Sequence, residues 1–448
     1  MRSPAKHGAR CPARVRRVTN PASLRLRRPP PLAATLRPPG SKSLTNRALL
    51  LAAMAHGRTR VEGLLDSEDT RIMRKCLRDL GVVLTEIDPT TAEIVGCGSK
   101  LGAGFQGQLE VGTAGTAARF LTGVLAGSHS GATIEIDGSA RMRERPMAAL
   151  LDGLRQMGAR LDPICKSDHL PLRIHSAPLR GTQITLPRPA SSQFVSALVL
   201  AALGAEGATR IVLRQGTPAR PYVDMTLAQI DHFGGRARWT APNVLEIEAS
   251  TLEGRNVKVE PDASSASYFL GLAAIHGGEV HIPQLGAASL QGDARFHEIL
   301  ATMGAKTQQD LDSTRLIGTG RLTGAELDLT AMPDMTLTAA VVALFAKGRT
   351  SIRGVEVLRH HESDRIAAGA AELRKLGATV QEHDDGMTID APIDGPLPGV
   401  KISTYDDHRM AMAFAMVGDV HILDPMCCGK TFPHYFDELK TLAMVPAQ

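Results

Sequence analysis

The sequence predicts an α/β protein of two similar domains, each built from three copies of one small α/β unit. Three observations lead there. A Gly followed by a β-rich step recurs at Gly57, Gly131, Gly207, Gly278, Gly348 and Gly418, spaced 74, 76, 71, 70 and 70 residues apart. A second signature, an amphipathic segment ending in Gly, recurs between them at Gly81, Gly158, Gly234, Gly304 and Gly377, at spacings of 77, 76, 70 and 73. An Ala/Leu-rich stretch precedes each glycine of the first ladder. Two interleaved ladders with one period mark an internal repeat. Six such units are too many for a single core, so the 448 residues should divide into two domains of three units.

Each element of the unit has its own signal. The Ala/Leu-rich stretches are 48–55, 117–126, 194–203, 269–275, 337–346 and 410–416. They are apolar nearly all round, which predicts buried helices. The first-ladder Gly stops each helix, and the alternating residues after it predict a strand. The second ladder reads as an amphipathic helix whose C-terminal Gly takes the left-handed conformation. A short strand follows, as in Ala159-Arg-Leu161 or Ala378-Thr-Val380. The unit is helix, strand, helix, strands.

Composition excludes several classes. At 43% hydrophobic and 22% charged, the chain is globular rather than disordered or fibrous. No apolar run approaches the ~18 residues of a membrane span. The net charge of +5 comes from one end: residues 1–40 hold ten Lys/Arg and no acid, and the rest has 41 basic against 46 acidic residues. A mildly acidic body argues against a nucleic-acid partner. The Arg/Pro-rich start (Arg25, Arg27, Arg28, Pro29, Pro30, Pro31) predicts disorder. An upstream mis-assigned start codon, a solvated extension and a transit peptide are the three readings of it. Cys11, Cys76, Cys97, Cys165, Cys427 and Cys428 form no Cys-x-x-Cys, which predicts reduced thiols in the cytoplasm, and the adjacent pair Cys427–Cys428 reads as small buried or half-buried residues. No His/Cys/Asp/Glu cluster has metal-ligand spacing, and no metal is expected.

The helix entrances carry the functional signal. They are Gly40-Ser-Lys-Ser-Leu-Thr-Asn-Arg47, Thr113-Ala-Gly-Thr-Ala-Ala-Arg119, Ser191-Ser-Gln193, Asp262-Ala-Ser-Ser265, Pro333-Asp-Met-Thr336 and Asp406-Asp-His-Arg409. Ser, Thr and Asp are ordinary N-caps. Lys42 and Arg119 are not, because a cation at a helix N-terminus opposes the dipole. It fits if an anion sits there, held by free N–H groups and the cation together. Gly115 would let a ligand approach the backbone. Arg141-Met-Arg-Glu-Arg145, Arg220-Pro-Tyr222, Glu362-Ser-Asp-Arg365 and Gly429-Lys430-Thr431 add further cations at element boundaries. The pattern favours small, multiply anionic ligands. Gly40-Ser-Lys-Ser lacks the upstream glycine of a nucleotide P-loop.

At these residues the sequence resembles the 5-enolpyruvylshikimate-3-phosphate synthase (3-phosphoshikimate 1-carboxyvinyltransferase) family. The matching motifs are Pro39-Gly-Ser-Lys-Ser-Leu-Thr-Asn-Arg47, Ala114-Gly-Thr-Ala117, Arg141-Met-Arg-Glu-Arg-Pro146, Ser191-Ser-Gln-Phe194, Asp262-Ala-Ser-Ser-Ala-Ser-Tyr-Phe269, Glu362-Ser-Asp-Arg365, Tyr405-Asp-Asp-His-Arg-Met-Ala-Met412 and Lys430-Thr-Phe-Pro433. They run in order from about residue 36 to about residue 440. The resemblance implies three βαβαββ units per domain in a pseudo-three-fold, inside-out α/β barrel. It implies a basic tail at 1–20, a first domain at 41–259, and a second made of 21–40 with 260–448.

The implied reaction moves the enolpyruvyl group of phosphoenolpyruvate to the 5-hydroxyl of shikimate 3-phosphate and releases phosphate. It runs by addition and elimination through a tetrahedral intermediate, without cofactor, in a monomer. The resemblance places Lys42, Gly115, Arg119, Arg145, Gln193, Arg365, His408, Arg409 and Lys430 on phosphoenolpyruvate. It places Lys42, Ser43, Arg47, Ser191, Ser192, Gln193, Tyr222, Asp334 and His361 on shikimate 3-phosphate. Asp334 is the position that handles the hydroxyl proton, Glu362 exchanges a proton with the methylene carbon, and Lys42 aids charge and proton transfer. Gly115-Thr116-Ala117 resembles the glyphosate-sensitive type.

The sequence departs from the family pattern at Ala219, where a Ser is common, at His361, where a Lys is usual, at Val357, where some members have Asn, and at Phe120, where a Pro is common. Three rival readings compete with this one, one of them a non-catalytic anion-binding protein, which would bind ligand tightly without turnover and has no need of both Asp334 and Glu362. Transfer to UDP-N-acetylglucosamine would use a loop Cys, and residues 138–145 hold none. An RNA-terminal phosphate cyclase-like protein would show a basic face and a nucleophilic His.

Overall fold

The computed structural model describes residues 23–446. The predicted basic tail at 1–20 and Cys11 lie outside them. Six helices are buried almost entirely: α1 (Lys42–Met54), α2 (Gly115–Ala126), α3 (Ser192–Ala202), α4 (Ala263–His276), α5 (Thr336–Ala343) and α6 (His408–Ala415). Each contains one of the apolar stretches or most of it.

The second unit shows how a repeat is built. Strands Gln106–Glu110 and Thr133–Asp137 run parallel, with α2 as their crossover. Helix Ala148–Gln156 then leads into a hairpin, Arg160–Pro163 and Leu172–His175, whose second strand pairs antiparallel with Thr133–Asp137. This is βαβαββ, closed as a four-stranded sheet, and four other units repeat its strand order. In the first unit the outer parallel strand is Val257–Lys258, so the chain closes that half on itself before leaving it. In the fourth it is Leu32–Thr35, beside Gly278–Pro283. In the sixth, Ser23–Arg25 takes the place of the hairpin against His421–Leu423.

The apolar residues form two cores. One runs from Leu44 to Val259. The other joins Leu26, Leu32 and Leu36 to residues from Ala263 to Met444. Within each core the buried helices touch closely. A Cβ on Gly123 of α2 would stand 2.6 Å from the Ala197 carbonyl oxygen of α3.

Every glycine of both ladders has positive φ, for example +88° at Gly57 and +86° at Gly81. The repeat was visible because this conformation favours glycine at each unit boundary. The Arg/Pro-rich start departs from its composition. Residues 23–40 are ordered into two strands rather than disordered. Leu26, Leu32 and Leu36 are buried at 0, 5 and 7% exposure, and backbone pairing to two different units holds the segment. Of the adjacent thiols, Cys427 is half-buried and Cys428 buried, as expected.

Candidate active site between the halves

One cleft is lined by the N-terminal turns of all six buried helices: Lys42 of α1, Thr116 of α2, Ser192 of α3, Ser264 of α4, Asp334 just before α5, and His408 of α6. The caps fit the sequence. The side chains of Ser41, Ser191, Asp262 and Asp407 accept from the first backbone N–H groups of α1, α3, α4 and α6. Capping and function share these turns, because the residues between the caps and the first apolar turn face the cleft.

One pair of cations meets at Gly115. A Cβ there would lie 2.8 Å from Arg145 Nη1 and 2.9 Å from Arg119 Nη1. The missing side chain thus makes room for two guanidinium groups, which differs from the direct ligand approach expected of it. Both groups are buried. Burial and the Arg145 charge push Arg119 well below its usual pKa, and burial also lowers Arg145. Among the described residues, Arg145 Nε has no hydrogen-bond partner. Two like charges with an unused donor in a dry site call for an anion.

The second half supplies a carboxylate–cation network. The Arg365 guanidinium donates to Asp407 Oδ2 (2.8 Å), Glu362 Oε2 (2.9 Å) and Asp334 Oδ1 (3.1 Å). Lys430 Nζ donates to Glu362 Oε1 at 2.8 Å, and Arg409 Nη2 to Asp334 Oδ2 at 2.7 Å. Burial disfavours both acids' charges. Lys430 and Arg365 outweigh it at Glu362, and Arg409 and Arg365 outweigh it at Asp334, so both are held below the usual carboxylate range.

The other predicted residues reach the same cleft in different conditions. Lys42 Nζ pairs with buried Asp69 at 3.1 Å. Ser43, Ser191, Ser192 and Gln193 line the cleft wall. Arg47 lines it too, but its guanidinium also donates inward to Thr226 Oγ1 (2.7 Å) and the Tyr222 carbonyl (2.9 Å), and burial lowers it to about 10. His408 is buried, neither ring nitrogen has a hydrogen-bond partner among the described residues, and burial pushes its pKa well down. His361 accepts from Arg365 Nη1 at 2.9 Å, and burial together with Arg365 lowers it to about 3. It is neutral near pH 7 and brings no cation where a Lys is usual.

Four residues of the site were not singled out from sequence. Asp69 holds Lys42, and Asp407 holds Arg365. Asp293 bonds Tyr222, and Arg141 donates to the carbonyl oxygens of His361 and Glu362. Arg141 and Asp407 stood inside quoted motifs. Asp69 and Asp293 had only a nearby helix start to mark them.

A cleft between two three-unit domains, with cations at helix N-termini and buried carboxylates among them, defines an enzyme acting on small polyanions. Comparison with known proteins narrows the class. The family model for EPSP synthase (3-phosphoshikimate 1-carboxyvinyltransferase) matches residues 26–439, and the chain belongs to that family. It is 42% identical over 419 residues to the 3-phosphoshikimate 1-carboxyvinyltransferase of Yersinia pseudotuberculosis, covering 92% of this chain and 96% of that one. It is 43% identical over 412 residues to the enzyme of the same name from Photobacterium profundum, covering 90% and 95%. The solved EPSP synthase of Acinetobacter baumannii superimposes with a TM-score of 0.77 at 27% identity, covering 95% of this chain and 99% of that one. The enolpyruvyl transferase NikO of Streptomyces tendae shares the fold at a TM-score of 0.75 and 17% identity, covering 95% and 98%.

Proposed function

We propose that this chain transfers the enolpyruvyl group of phosphoenolpyruvate to the 5-hydroxyl of shikimate 3-phosphate, releasing phosphate. The observation that carries the reading is one cleft lined by Arg145, which meets buried Arg119 at Gly115, together with ionised Glu362 and Asp334. The pair, with Arg365, Arg409 and Lys430, suits a ligand bearing both carboxylate and phosphate. Lys42, Ser43, Ser191, Ser192, Gln193 and Tyr222 form the opposite wall for the acceptor. Domains of 41–259, and of 21–40 with 260–448, agree with the two cores.

The chemistry follows from charge. Asp334 is an aspartate and takes the acceptor's hydroxyl proton as the oxygen bonds to C2 of phosphoenolpyruvate. Glu362 must give a proton to the methylene carbon, yet without ligand it is ionised. Arriving phosphate and carboxylate charges compensate Lys430 and Arg365, and the Glu362 pKa rises toward protonation. Elimination of phosphate returns that proton to Glu362. Positioned acid and base groups of this kind contribute ~10²–10⁴-fold each.

The cleft is complete within one chain, which supports a monomer, and the cysteine pattern of the sequence supports work in the cytoplasm. Gly115-Thr116-Ala117 beside the guanidinium pair supports inhibition by glyphosate, a small molecule with carboxylate and phosphonate groups. The test is phosphate release from phosphoenolpyruvate with shikimate 3-phosphate or with UDP-N-acetylglucosamine. Release is expected with shikimate 3-phosphate alone, and Glu362→Ala should abolish it. Release with the other acceptor instead would overturn the reading.

A further inference from the structure

We propose that Asp293 is a positioning residue that sets the basicity of Asp334 by controlling where the Tyr222 hydroxyl proton points. The inference rests on the reading of Asp334 as the group that takes the acceptor's proton. Asp293 lies on a short turn, Gly292–Arg295, of the second half. Tyr222 lies on helix Pro221–His232 of the first half. The two meet closely, since a Cβ on Gly292 would stand 2.4 Å from Pro221 Cβ. The Tyr222 hydroxyl lies 2.9 Å from Asp293 Oδ2 and 3.1 Å from Asp334 Oδ2.

A phenol has one proton and cannot donate to both. If both acids were ionised, the phenol oxygen would face one carboxylate oxygen with no hydrogen between them. The two acids are not equivalent. Asp334 is bonded by the guanidinium groups of Arg365 and Arg409, with Lys42 adding to the positive field and neutral His361 at 3.8 Å. Among the described residues, no cation is in contact with Asp293. Its Oδ2 meets the hydroxyls of Tyr222 and Ser264, and its buried Oδ1 has no partner. The charged groups facing it are Asp334 and, behind Ser264, Arg409. Burial and the Asp334 charge together raise it to about 6.

Two arrangements follow. When Asp293 is protonated, it donates to the Tyr222 oxygen, and Tyr222 donates to Asp334. Asp334 is then stabilised as an anion and is a weaker base. When Asp293 is ionised, Tyr222 turns its proton to Asp293. Asp334 loses one donor, and takes the acceptor's proton more readily.

The experiment is kcat and KM from about pH 5 to about pH 9 for five proteins: native, Asp293→Asn, Tyr222→Phe, the double variant and Asp334→Asn. Asn is fixed in the protonated-like arrangement. Asp293→Asn should match the native kcat at the acid end and fall about tenfold below it at the alkaline end, the size of one hydrogen bond to a charged group. KM for both substrates should not move. Tyr222→Phe should lose the same acid limb, and adding Asp293→Asn to it should change nothing further. An Asp293→Asn effect that is uniform in pH, or that persists in the Tyr222→Phe background, overturns the proposal. Asp334→Asn should be inactive throughout. If instead it turns over normally, the reading of Asp334 fails, whatever Asp293 does. Should Asp293→Asn not fold, the Tyr222→Phe profile decides alone: an unchanged acid limb overturns the proposal.

Discussion

The Arg365 guanidinium touches three carboxylates, and a lysine cannot replace it. Its planar fork reaches Asp407, Glu362 and Asp334 at 2.8–3.1 Å while only 2% exposed. Arg365→Lys leaves at least one buried carboxylate without its partner. We expect a stability loss of about 3–5 kcal/mol by chemical denaturation, the usual cost of breaking a buried pair. We also expect a loss of at least ~10²-fold in kcat/KM, since two proton-handling groups shift together. Asp293 behaves oppositely. Its folded pKa, about 6, lies above its ordinary 3.8, so the folded state binds the extra proton between those values. Stability attributable to it is full below pH 3.8 and falls as pH rises to about 6. Asp293→Asn should therefore melt like the native protein near the acid end of that window. Near pH 8 it should melt higher, by up to about 3 kcal/mol of stability. Equal melting at both pH values would refute the shift. Residues such as Lys42 and Arg119 were legible because a cation at a helix start has few other uses. Asp293 was not, because an acid near a helix start reads as ordinary capping.

Elements were the most legible level, since their signals are local. Both glycine ladders mark left-handed backbone, and the apolar stretches mark helices covered on every side. The strands at 23–25 and 32–35 were not legible. They are only three and four residues long, too short for an alternation to show, and they are held by pairing to strands hundreds of residues away. The same distinction separates two kinds of glycine. Gly131 has φ of +65° and open space around its Cβ position. Gly131→Ala should cost about 1–2 kcal/mol, from backbone strain alone. Gly123 lies within α2, where any Cβ meets the α3 backbone at 2.6 Å. Gly123→Ala should cost about 1–3 kcal/mol from overpacking, and Gly123→Val more. Urea midpoints of the three variants check this. A Gly123→Val no worse than Gly123→Ala would mean that the helices can move apart freely.

At the scale of the whole molecule, the two halves meet through polar contacts that no sequence pattern announced. Arg141 of the first half donates to the His361 carbonyl at 2.9 Å and the Glu362 carbonyl at 3.0 Å. Lys430 of the second donates to the Thr113 carbonyl at 3.1 Å, and the Lys42 amide to Asp262 at 3.2 Å. Backbone carbonyls are present at every residue, so a contact to one leaves no trace in residue identity. Domain contacts of this polar kind permit relative motion. The site residues come from both sides, so the site is assembled only where the halves meet. Arg141 points its guanidinium at the backbone that presents Glu362, which makes it a clasp rather than a reacting group. Arg141→Ala should widen the unliganded protein, seen as a larger radius of gyration in solution scattering. It should raise KM for phosphoenolpyruvate about tenfold, the worth of two lost hydrogen bonds from a charged donor partly exposed to water. With both substrates bound, their anionic groups bridge the cations of the two halves, and the radius should return to the native value. A variant that stays expanded with ligand, or one with native radius and raised KM, would show that Arg141 does not act by closing the cleft.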